Sequence, residues 1–139
     1  MLRAAGAAAL ATALLACSSP QVRQVRSVME STVVPASDAL FNAVIYTNGR
    51  LASSPQTDAD WDRLRGHAAR LSTAAVTLRG LAPAGNPDEW LAQADALGAA
   101  SSATIEAIDR RNLEGVLEAG SRLYDSCTAC HATYVTDLP

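Results

Sequence analysis

The segment Cys127-Thr128-Ala129-Cys130-His131 holds the residues of this 139-residue chain whose types and spacing could do chemistry. Two thiols two residues apart, with an imidazole directly after the second, form the pattern that attaches a c-type haem. Each sulfur can meet one vinyl group while the following histidine reaches the iron. On a helix, positions 127, 130 and 131 are related by three and four residues, so all three side chains project over one surface and can hold a flat ring from one side. With three Cys and two His in the whole chain, the pattern seldom arises by chance. Two other chemistries use such a cysteine pair. A thioredoxin-like redox site wants it at the start of a helix behind a strand, where the helix dipole lowers a thiol pKa. Here it falls near the end of the last periodic segment. A closed zinc site needs a fourth ligand, and His67, the only other histidine, would have to come from a different helix. No Ser, His and acid cluster stands at a spacing that speaks for hydrolysis, so no enzymatic activity is expected.

The elements that position this segment follow from composition and periodicity. Aromatics are 4% of the residues and alanine is abundant, which favours close-packed helices over strands built from β-branched and aromatic residues. The length suits one domain with one core. A first helix is expected from Ser19-Pro20, as N-cap and first helical position, to about Tyr46, stopped by Asn48-Gly49. Its inward stripe reads Val22, Val25, Met29, Thr32, Ala36, Leu40 and Ala43, with a kink at Pro35. A second helix starts behind Thr57 or Asp58, with the stripe Trp61, Leu64, Ala68, Leu71, Ala75 and Leu78. Asn86-Pro87-Asp88-Glu89 opens a third as N-cap, N1 proline and a glutamate three residues on. Trp90, Ala94, Leu97, Ser101, Thr104 and Ile108 form its stripe, which weakens between Gly98 and Thr104. Trp61 and Trp90 read as core anchors at one end. After a break at Asp109 to Asn112, a fourth helix carries Leu113, Val116, Gly120, Leu123, Cys127, Cys130 and Tyr134 on its inward stripe. The expected fold is all-α, an antiparallel four-helix bundle with a haem near the end of helix four.

With these features together, the chain resembles the cytochrome c-prime family over essentially its whole mature length. It is most similar to the low-spin, methionine-ligated members. The residues that carry the resemblance are Arg26-Ser27-Val28-Met29, Pro35-Ala36-Ser37-Asp38-Ala39-Leu40, Asp60-Trp61, Glu89-Trp90 and Cys130-His131-Ala132-Thr133-Tyr134. The resemblance implies a monohaem one-electron carrier with one covalent haem c on Cys127 and Cys130. It also implies His131 and Met29 as axial iron ligands. Met29 is otherwise a residue that fills core, the commoner fate of an inward methionine, and in that case the iron has an open face that binds nitric oxide or carbon monoxide. Members of the family often carry a basic residue just after the aromatic near the proximal histidine. Here Tyr134 is followed by Val135-Thr136-Asp137, so gas-binding behaviour tuned by that charge is not implied.

Partners follow from charge and from the N-terminus. Eleven basic residues, all arginine, against fourteen acids leave a net charge of -3, which speaks against a nucleic-acid partner. Residues 1–16 read as an export signal: Arg3 gives a positive start, and the apolar run behind it is too short to span a bilayer. Leu14-Leu15-Ala16-Cys17 resembles the bacterial lipoprotein box, which implies cleavage before Cys17, acylation of that residue and a single domain over 17–139. Ser18 in place of Asp implies no inner-membrane retention, hence the periplasmic face of the outer membrane. An ordinary signal peptide with a chance cysteine is the other reading. One cysteine for lipid and two for haem leave no free thiol in an oxidising compartment. Redox proteins are the expected partners, and the alanine-rich helix faces leave a homodimer open.

Overall fold

A computed structural model describes residues 19–135; the expected export signal and Cys17 lie outside them. The fold is mostly helical with one small antiparallel sheet. Ser19 caps α1 (Pro20–Val28) by accepting from the Val22 N–H at 3.2 Å, and Pro20 sits where its missing N–H is no loss. The rod continues through a π-helical turn, Met29–Val33, into α2 (Val34–Phe41). The expected kink at Pro35 is realised as this wider turn. Proline cannot donate to Ser31 and its ring would crowd that carbonyl; the turn relieves both, with the Val34 N–H donating five residues back to Met29.

That turn shifts the buried face. Val33, Ala36, Ser37, Leu40 and Val44 are buried, whereas Val25, Met29 and Thr32 are half-buried and Val22 is 48% exposed, against the stripe expected from a uniform α period. The helix also ends at Phe41 rather than near Tyr46. The strands β1 (Ile45–Thr47) and β2 (Arg50–Ser53) form a hairpin around Asn48 and Gly49, whose φ angles are 53° and 75°. Positive φ at both central residues is what a tight two-residue hairpin turn requires, and Asn-Gly supplies it at little cost.

Thr57 opens α3 (Asp58–Arg79) with a reciprocal capping box to Asp60. The expected stripe of α3 is wholly buried, as is that of α4 (Pro87–Asp109). Polar Ser101 and Thr104 do not weaken α4: both are buried, and their hydroxyls donate to the Leu97 and Ala100 carbonyls at 2.7 and 2.8 Å. Asn86 does not cap as expected; its amide donates to the Glu89 carboxylate at 2.6 Å instead of its oxygen accepting from backbone. The break at 109–112 ends with Asn112 accepting from the Gly115 N–H at 3.1 Å, opening α5 (Leu113–Tyr134). Gly115 is needed there, because a Cβ would stand 2.9 Å from the Asn112 amide and 3.2 Å from Ala107.

Helices α3 and α4 run antiparallel, tied by Arg79–Asp95, Arg65–Asp109 and the Trp90 indole N–H donating to the Leu78 carbonyl at 2.6 Å. Trp61 therefore lies at the opposite end from Trp90, not beside it, because each begins one of two antiparallel helices. α5 packs back along α4, with Tyr134 edge-to-face on Trp90 at 5.0 Å. α2 packs on α3 but touches α5 only sparsely.

Candidate functional site

The sparse seam between α2 and α5 opens into a cavity of about 560 Å³. Met29 lines it from the π-helical turn; Cys127, Cys130 and His131 line it from the last two turns of α5, and Leu78, Trp90 and Leu97 floor it. Met29 and, about a hundred residues later, Cys127, Cys130 and His131 thus wall one cavity. The buried face of α5 is Val116, Ala119, Leu123 and Ser126, so the two cysteines flank the core stripe, half-buried, rather than occupying it. That offset turns their sulfurs to the cavity instead of into packed core. Both thiols are free.

Burial pushes the Cys127 thiol above its ordinary pKa, partly offset by a hydrogen bond with Ser126, and burial with the neighbouring Cys127 does the same to Cys130. This is the reverse of a reactive thiol pair, which sits at a positive helix end with a lowered pKa; here the pair sits at the negative end of α5. Among the described residues no group of three or more His, Cys, Asp or Glu converges on a point, so a closed protein-ligated zinc shell is not assembled. His67 is elsewhere. It faces a separate cavity of about 290 Å³ with Asn42, Ser53 and Asp60, and its Nδ1 is buried without a hydrogen-bond partner.

The residues present fit a haem of c type. The volume lies in the range of cofactor pockets, roughly 300–1,000 Å³, and the walls are almost wholly apolar, with Asp38 as the one acid. Cys127, Cys130 and His131 lie on one wall and Met29 contributes to the same enclosure from another helix. Tyr134, three residues past His131, carries a buried hydroxyl without a hydrogen-bond partner; burial, the Glu89 carboxylate and then Cys130 push its pKa up.

Several wall residues escape the stripe read from sequence: Val33, Ser37, Asp38, Phe41 and Tyr124. A signal for three of them exists, since Met29, Val33, Ser37 and Phe41 follow one another at intervals of four and make one ridge of the rod. Only the π-helical turn decides that this ridge, rather than its neighbour, borders the cavity. Compared with family models, curated proteins and solved structures, the chain matches none.

Proposed function

We propose that this protein is a monohaem c-type cytochrome, an antiparallel four-helix bundle that carries one electron at the periplasmic face of the outer membrane, held there by lipid on Cys17. The observation that carries the reading is the meeting of Met29, Cys127, Cys130 and His131 on the walls of one cavity. The resemblance to the low-spin, methionine-ligated cytochrome c-prime relatives supports it. In this reading Cys127 and Cys130 would hold the haem covalently, and His131 and Met29 would bind its iron. When bound, the haem supplies a one-electron couple at iron and no bond-making chemistry.

The chain's own residues contribute three things. His131 in the last turn of α5 is held on a backbone whose carbonyl accepts from Val135 at 2.9 Å, which fixes the start of the side chain. Met29 sits in the π-helical turn, and the geometry that Pro35 imposes there sets which way the helix face carrying the thioether is turned. Leu78, Ala94 and Leu97 give the cavity apolar walls, and a thioether ligand among them would favour a higher potential than two histidines would give.

The test is the ferric absorption spectrum of the mature protein, expressed with haem c maturation proteins, beside Met29→Ala. Axial methionine gives a low-spin spectrum with a weak far-red charge-transfer band that disappears in the variant. A high-spin spectrum indifferent to the substitution replaces the carrier with the alternative, a five-coordinate haem protein that binds nitric oxide or carbon monoxide.

A further inference from the structure

The outer side of the α2–α5 seam differs from the rest of the described surface. Phe41 and Tyr124 meet edge-to-face across it, with ring centroids 6.3 Å apart. They are 39% and 59% exposed, yet both also wall the large cavity from within. The same pair lines a neighbouring groove of about 390 Å³ with Leu117 and Val44. Val34 and Leu117, 52% and 38% exposed, extend the apolar surface to either side. Asp38 borders the large cavity and Asp125 the groove, and neither carboxylate forms an ion pair among the described residues. No arginine lines either opening, and the nearest on α5, Arg122, is held by Glu118 at 2.6 Å. The α3–α4 seam is the opposite, closed by Arg65–Asp109, Arg79–Asp95 and Arg111–Asp58 with Trp90 beneath.

We propose that this seam is the docking face for a redox protein with an apolar centre and a basic rim, and that Asp38 and Asp125 steer it. The inference rests on the haem reading above for its purpose, since the two aromatic rings wall the cavity and are exposed to solvent at the same time. Charge selects the occupant. A second copy brought face to face through the same seam would set Asp38 and Asp125 of each molecule against like charges, which disfavours association. A cationic partner gains from the same carboxylates, mainly in its rate of encounter, and a small apolar centre suits a short-lived complex of less than about 1,200 Å².

The experiment titrates the isotope-labelled holoprotein with a basic, lysine-ringed cytochrome c as the probe. Amide shifts in NMR map the contact at low and high salt, while absorption of the same sample reports haem content. The expected footprint centres on residues 34–41 and 117–125, and fades as salt is raised. Removing each carboxylate by Asp38→Asn or Asp125→Asn weakens binding about two- to fivefold. Asp62→Asn, an exposed acid on α3, leaves it unchanged. A footprint on another face, an equal loss in Asp62→Asn, or self-association through the seam without the probe overturns the proposal. Absence of haem from the sample sinks the functional reading instead, and the footprint still decides the docking face.

Discussion

The two long seams of this molecule are built on different principles. Between α3 and α4 every expected core position is filled: Leu71 is fully buried, Ala74, Ala75 and Ile108 are nearly so, and three Arg–Asp pairs line the outside. Between α2 and α5 the helices stand apart, a cavity of about 560 Å³ intervenes, and apolar Val34, Phe41, Leu117 and Tyr124 are exposed. A packed seam stabilises the fold, because close contact and water exclusion contribute there without any partner. An open apolar seam stabilises little by itself, and its retention makes sense when something else fills it. The difference assigns the first seam to folding and the second to function.

Substitutions can break or sharpen that contrast. The largest effect is expected at the packed seam: Leu71→Ala should cost about 2–5 kcal/mol in chemical denaturation, the range for emptying a fully buried leucine site. Phe41→Ala, at a ring 39% exposed beside a cavity, should cost well under half of that in the same apo chain; equal losses would erase the distinction between the seams. Next comes Trp90→Phe. It keeps most of the ring but removes the indole N–H bond to the Leu78 carbonyl, which still accepts from the Leu81 N–H at 3.0 Å, for a loss of about 0.5–1.5 kcal/mol by the same denaturation. The smallest effect is one of pH. Hydrogen bonds from the Thr57 side chain, then from the Thr57 and Gln56 backbones, hold the Asp60 carboxyl down to about 2 from 3.8, with Arg63 adding to the pull. A depressed native pKa means that the unfolded chain takes up the proton first. The contribution is therefore complete above about pH 4 to 5 and is lost as pH falls towards 2. Asp60→Asn should flatten the dependence of melting temperature on pH in that window and leave its shape at neutral pH alone.

Much of the packed seam was legible in the sequence. Trp61 to Leu78 and Trp90 to Ile108 keep an unbroken three-and-four period, and Thr57, Pro87 and the 109–112 break announce their ends by local chemistry that tertiary packing did not override. The α2–α5 seam was only half legible. Its candidate site residues showed, because Cys127, Cys130 and His131 carry their own spacing and Met29 is the sole methionine after Met1. Its walls did not. A π-helical turn adds a residue to one turn of the rod, so one constant period cannot fit both sides of it: Ala36 and Leu40 after the turn are buried as expected, whereas Val22, Val25, Met29 and Thr32 up to it are not. The hairpin was hidden for a different reason: Asn48-Gly49 was read as a helix stop, although the same dipeptide is the strongest short signal for the turn it forms. His67, one residue before Ala68 of the α3 stripe, lines the separate cavity beside Asn42, Ser53 and Asp60.

The central claim is that Cys127 and Cys130 hold one haem covalently, and the intact mass of the denatured chain tests it most directly. Expressed in an exporting host with haem c maturation proteins, the chain should keep the added mass of one haem after unfolding, and the Cys127→Ala, Cys130→Ala double variant should lose it. A denatured chain of bare polypeptide mass, with both thiols open to alkylation, would contradict the account.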